Sequence, residues 1–143
     1  MKKLLQNITV LNPSSEFNNQ KVDVLIEDGK ILQINNTIED TSAEIIDFSG
    51  NYMTTGFCDL YVNINDPGFE YREDIESIAN AAIAGGFTTI CAVADNHPIT
   101  QTKAQVEYII NKSKHTLVNI LPIGAVTENF DGKTPTEMYD MHH

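Results

Sequence analysis

The sequence predicts an α/β protein in two parts: a small β unit, then strands alternating with helices. Three observations carry that reading. In 22-VDVLIEDGKILQI-34 an Asp-Gly pair separates two apolar runs, the signature of a tight hairpin. In 73-EDIESIANAAIA-84 Ile75, Ile78, Ala79, Ala82 and Ile83 fall on one helical stripe. The run 89-TICAVA-94 is continuously apolar, as in a parallel strand covered on both faces.

Taken in order, residues 4–11 read as a strand that stops at the turn signal Asn12-Pro13. Residues 14–20 are polar and loop-like. Val22, Val24 and Ile26 alternate with other positions, Asp28-Gly29 accepts the positive φ of a type I′ turn, and residues 31–34 return. A short strand over 45–48 ends at Ser49-Gly50. After Gly56 the pattern changes to strand, loop, helix. Residues 57–64 form a strand, and 73–84 a helix whose start is favoured by Glu73 and Asp74. Gly85-Gly86 stops it, because glycine takes the left-handed position beyond a helix at little cost. A second strand covers 87–94. Thr100 is the expected cap of a second helix with the stripe Val106, Ile109 and Ile110. Residues 117–123 form a third strand, and Thr134-Pro135 opens a third helix. Strand–helix alternation implies parallel pairing with right-handed crossovers. Three units do not close a barrel, which takes eight strands and about 250 residues. The chain therefore reads as the front portion of something longer, with an open strand edge that invites pairing with a second copy.

Composition narrows the function. The 143 residues carry 41% hydrophobic side chains, enough for a core, and a net charge of −11. That charge disfavours nucleic acid and anionic membranes as partners. Cys58 and Cys91 lie in apolar runs and read as buried thiols of a reducing compartment. No signal peptide, membrane span or zinc-type Cys/His cluster is visible, so a cytoplasmic protein is expected.

The runs 50-GNYMTTGFCDLYVNINDPGFEYREDI-75 and 85-GGFTTICAVADNHP-98 and, more weakly, 121-LPIGAVT-127 resemble dihydroorotases of the amidohydrolase superfamily. The matched features are Gly56-Phe57, Asp59, Pro67-Gly68, Glu73-Asp74-Ile75, the Gly-Gly-Phe-Thr-Thr run and Pro98. The resemblance implies that residues 1–54 are a segment of a small β-sandwich and residues 55–143 the first βα units of a (β/α)8 (TIM) barrel, here incomplete. It also implies the interconversion of dihydroorotate and carbamoyl aspartate in pyrimidine biosynthesis.

In that family the first barrel strand reads Asp-x-His-x-His-x-Arg. The histidines bind metal and the arginine holds the substrate carboxylate. Here Asp59 remains, but Tyr61, Asn63 and Asn65 fill the next three positions. The family's Met-Pro-Asn-Thr after the second strand is replaced by Val93-Ala94-Asp95-Asn96, with Asp95 at the substrate-contacting asparagine; Asn96 takes that place only if the register slides. By strand parity Asp59, Tyr61 and Asn63 share one face, and Cys58, Leu60 and Val62 the other. A phenol loses its proton only near pH 10, and an amide oxygen is a weak, hard donor better suited to calcium than to zinc. Asn65 offers no charge in place of a guanidinium fork. If Asp95 is ionised it repels a substrate carboxylate; at an effective dielectric near 20, two like charges about 4 Å apart cost roughly 4 kcal/mol.

The expectation is a non-catalytic dihydroorotase-like protein with no cofactor, which works by binding a protein partner or a second copy. Because inactive chains of this kind associate with aspartate transcarbamoylase, the resemblance implies that partner. The alternative is an active cyclic amidohydrolase that draws zinc ligands from beyond residue 143. The remaining candidates have plainer readings. Asp59 accepts local hydrogen bonds. Glu70, Glu73 and Asp74 are loop and helix-start charges. His97 is a solvated loop residue with a minor claim to function, and His115 is bland. His142 and His143, adjacent in sequence, do not face one way on a helix. Tyr108 falls off its helix stripe and reads as a partner contact.

Overall fold

The computed structural model describes residues 1–142, so His143 lies outside the described residues. The chain divides into two compact units, Met1–Thr55 and a second beginning at Gly56.

The first unit is a mixed sheet with two antiparallel and two parallel pairings. Its strands are β1 (Lys2–Leu11), β2 (Lys21–Glu27), β3 (Lys30–Asn35), β4 (Glu44–Asp47) and β5 (Tyr52–Thr54). The order is β3-β2-β1-β4, and β5 also pairs with β1. Asp28 and Gly29 both take positive φ, 49° and 77°, as the hairpin turn requires. The short β5 carries no pattern of its own; it is held by parallel pairing of Thr9, Val10 and Leu11 with Tyr52, Met53 and Thr54. Strand β1 is broken by a register shift between Leu5 and Ile8, where Asn7 adopts φ 63°. The buried Asp23 carboxylate stabilises this bulge by accepting from the Asn7 N–H at 3.0 Å and the Ile38 N–H at 3.0 Å. Ile8, Val10, Val22 and Val24 form the core on one side of this sheet.

The second unit holds β6 (Phe57–Val62), α1 (Ile75–Ala84), β7 (Phe87–Ala92), α2 (Lys103–Ser113), β8 (Asn119–Pro122), a 3-10 turn over Glu128–Phe130 and α3 (Met138–His142). The three strands are parallel in the order β6-β7-β8. Ile75, Ala79 and Ala82 of α1 and Ile109 of α2 pack on Ile90, Ala92, Val118 and Ile120 of the sheet side. Each fully buried valine or isoleucine among them contributes about 1.5–3 kcal/mol, and the alanines less. Ile110, expected in that stripe, is 42% exposed. The third helix starts later than Thr134-Pro135 and is one short turn. No helix among the described residues is long and apolar enough to cross a membrane.

Two caps differ in how legible they were. Asp74 caps α1, accepting from the Ser77 N–H at 2.8 Å while the Ser77 hydroxyl accepts from the Asp74 N–H at 3.2 Å. Gly86, with φ 80°, takes the left-handed position that ends the helix. Asp74→Ala should cost about 1 kcal/mol, read as a lower urea midpoint for helical circular dichroism; an unchanged midpoint would show that the cap is idle. The cap of α2 is Thr102, whose N–H donates to Gln105 Oε1 at 2.9 Å. Thr100 is instead buried, its N–H bonded to the Ala94 carbonyl at 3.1 Å and its carbonyl to the Ala125 N–H at 2.8 Å. Two loops compete for its backbone, which removes it from the helix.

Candidate functional site

Parallel strands deliver their following loops to one end of the sheet, where α/β proteins place their chemistry. In the second unit those loops begin at Asn63, Val93 and Ile123. Their shape is set by close backbone contacts. The His97 N–H bonds the Pro67 carbonyl at 3.1 Å. Gly68 has φ 107°, and a Cβ there would lie 2.1 Å from the His97 carbonyl oxygen. Only glycine permits this approach, so Pro67-Gly68 joins the loop after β6 to the loop after β7.

The pairing of β6 with β7 decides which side chains reach this end. Cys58 pairs with Thr89 and Asp59 with Ile90, but the next pair is Val62 with Ala92. Strand β6 therefore carries one extra residue between Asp59 and Val62, and the alternation inverts across it. Asp59 faces α1, beside Ile78, Ala81, Ala82 and Ile90 in a small cavity. Val62 and Ile64 pack into the same helix-side core. Tyr61 and Asn63 turn the other way, toward the mouth. The expected shared face of Asp59, Tyr61 and Asn63 is thus corrected: an added residue reverses strand parity, and no sequence pattern announces it. Cys58, opposite in face to its neighbour Asp59, and Leu60, within the bulge, were also expected on the helix side, and neither joins the helix-side core. Cys58 is exposed and Cys91 half-buried, so the burial expected for both thiols holds only in part. Burial, with the neighbouring Cys58 thiol, pushes the Cys91 thiol up.

At the mouth, Asn63 Nδ2 donates a short hydrogen bond to Asp95 Oδ2. Tyr61 is 73% exposed, and its N–H donates to Asp59 Oδ1 at 2.9 Å. Asp59 is therefore a local acceptor. Asn65 takes φ 58°, and its carbonyl accepts from the Phe69 N–H at 2.8 Å, which makes it a turn former. Asn96 is buried; its Nδ2 reaches Thr100 Oγ1 at 3.4 Å, and Oδ1 has no partner among the described residues. The single arginine, Arg72, lies over the rings of Phe69 at 5.1 Å and Tyr71 at 5.4 Å. The His97 ring lies 6.2 Å from that of Phe69.

Tyr108, expected as a partner contact, is an internal one. Its hydroxyl donates to the fully buried Asp66 at 2.9 Å. Asp66 also accepts from Lys112 Nζ at 2.7 Å and from the Ile75 N–H at 3.2 Å. Asp66 thereby ties the loop after β6 to the start of α1 and the side of α2. These partners lie 9, 42 and 46 residues away, beyond the reach of any local motif.

A family model described as Dihydro-orotase-like matches residues 50–142. The chain belongs to this dihydro-orotase-like family. The dihydroorotase of Syntrophotalea carbinolica is 40% identical over 142 residues, covering 99% of this chain and 33% of that protein. The dihydroorotase of Aquifex aeolicus is 39% identical over 142 residues, with 99% and 33% covered. Among solved structures, the L-hydantoinase of Arthrobacter aurescens aligns with TM-score 0.73 at 25% identity, over 89% of this chain and 28% of that one. A dihydroorotase structure aligns with TM-score 0.59 at 16% identity, over 89% and 32%, a likeness of fold alone. The dihydro-orotase-like chain thus spans about a third of the length of the curated relatives it matches. Its fold is that of a β segment followed by the first strand–helix units of an amidohydrolase-type barrel.

The zinc associated with this family does not fit the residues present. The two ligand positions, Tyr61 and Asn63, both face the mouth, but they offer a phenol and an amide oxygen in place of imidazoles. Asn63 is already committed to Asp95. Among the described residues, no three His, Cys, Asp or Glu side chains are grouped to hold a metal ion, whereas a catalytic zinc needs three protein ligands.

Proposed function

We propose that this dihydro-orotase-like protein is non-catalytic and acts by binding. One observation carries the reading: Asn63 and Asp95, at a metal-ligand position and a substrate-contact position of the family pattern, hydrogen-bond each other. Two substituted positions that satisfy one another no longer present a donor set to a metal ion or a free amide to a substrate carboxylate. Removal of even an outer partner of a metal costs about 10–100-fold in affinity or activity, and here two direct ligands differ. Asn65 as a turn former and Arg72 stacked on Phe69 and Tyr71 support the loss of the carboxylate grip as well.

The test is zinc content by elemental mass spectrometry together with dihydroorotate turnover, both on the complete gene product. Substoichiometric zinc and background turnover are expected. Stoichiometric zinc with turnover would establish instead an active cyclic amidohydrolase with ligands outside residues 1–143. Aspartate transcarbamoylase is the proposed partner; co-elution of the two proteins on size exclusion supports it, and independent elution removes it.

A further inference from the structure

The end of the sheet that lacks a metal-binding set still carries a concavity of about 420 Å³. Its walls are Tyr61, Val93, Ile123, Val126 and Phe130, with Asp95 among them. Tyr61 and Phe130 are both exposed residues, 73% and 53%, in this lining. Asp95 is the one charged side chain in this lining. Asn63 occupies only Oδ2 of its carboxylate, and Oδ1 carries no protein hydrogen bond among the described residues. No lysine or arginine lines the concavity, and the chain as a whole carries a net charge of −11.

We propose that this mouth binds small organic ammonium ions with an apolar or aromatic body. The inference rests on the non-catalytic reading above and assigns the site a ligand class opposite in charge to a carboxylate substrate. A carboxylate with a free oxygen accepts charge-assisted hydrogen bonds from an ammonium group. Aromatic faces attract the same cation through their quadrupole. Apolar walls take the body of the ligand, and the field of a polyanionic protein concentrates cations at its surface. An anionic head group finds no cationic partner in this lining and is repelled by Asp95.

The experiment titrates benzylammonium, benzyl alcohol and benzoate into the chain, with amide chemical shifts of residues 61–63, 93–95 and 123–130 as the readout. Benzylammonium should bind in the millimolar range, about tenfold more tightly than benzyl alcohol, and benzoate should not saturate; a tenfold difference is about 1.4 kcal/mol. Asp95→Asn should bring benzylammonium down to the level of benzyl alcohol, and Tyr61→Leu should weaken it by about threefold, while the amide spectra remain those of the folded chain. Equal binding of benzylammonium and benzyl alcohol would overturn the proposal and leave the non-catalytic reading standing. Tighter binding of benzoate than of benzylammonium would overturn the proposal too. Zinc-dependent turnover in the preceding test would remove the reading on which it rests.

Discussion

Lys112→Met should destabilise the second unit by about 3 kcal/mol. Asp66 is fully buried, and Lys112 Nζ lies 2.7 Å from its Oδ2. Without the ammonium, a carboxylate remains inside the protein with only two neutral donors, the Tyr108 hydroxyl and the Ile75 N–H. Loss of one member of a buried pair costs about 3–5 kcal/mol, because the other charge is left uncompensated. The lower end applies because the Lys112 side chain is 42% exposed, so water reaches the vacated space. The double variant Asp66→Asn/Lys112→Met should recover most of the loss, since no charge is then buried. Urea denaturation of the single and double variants measures both values. A Lys112→Met protein as stable as its parent would show that the pair is idle. The pH sign is also fixed. The Asp66 carboxylate, and then the Tyr108 hydroxyl, hold the Lys112 pKa above its ordinary 10.5. While Asp66 is ionised, the Lys112 contribution is complete below that ordinary value and disappears as pH rises through the raised one. The titration of Lys112 itself therefore adds no pH dependence across the neutral range, and deprotonation removes its stabilisation in strong alkali.

Tyr61→His/Asn63→His should raise zinc affinity by about 100-fold or more over the parent chain. Both positions face the mouth, and Asn63 already touches Asp95. The substitutions would set two imidazoles beside a carboxylate, a three-ligand set with an open fourth position. Isothermal titration with zinc, and cobalt spectra in the visible range, should report one ion per chain. Removal of the carboxylate in the background of the two substitutions, Asp95→Ala, should then lower affinity again. Zinc binding no stronger than the parent's would mean that the bulge in β6 holds these positions too far apart. Dihydroorotate turnover is not expected to follow, because Asn65 provides no guanidinium for the substrate carboxylate.

The legible parts of the fold are those specified by neighbours in sequence. The Asp28-Gly29 hairpin, the apolar stripe of α1 and its stop at Gly85-Gly86 each depend on residues a few positions apart, and each is found. The α2 cap was misplaced by two residues because Thr100 and Thr102 are equally good caps locally. The choice is made by the Ala94 carbonyl and the Ala125 N–H, which bind the Thr100 backbone. Strand β5 was invisible because its pairing with β1 supplies what its three residues lack. Tyr108 was misassigned for the same kind of reason, as its partner Asp66 is 42 residues away.

By itself the sequence determined the α/β class, the family pattern, and the chemistry of the substituted positions: a phenol and two amides where the resemblance implies imidazoles and a guanidinium. Those are properties of residue types and short spacings, which no tertiary contact can alter. Only the tertiary structure decided which of these groups meet. One extra residue in β6 inverts strand parity, sends Asp59 toward α1, and leaves Tyr61 and Asn63 at the mouth with Asp95. A bulge is settled by the register between two strands about thirty residues apart, and that register depends on which faces of both strands are buried together.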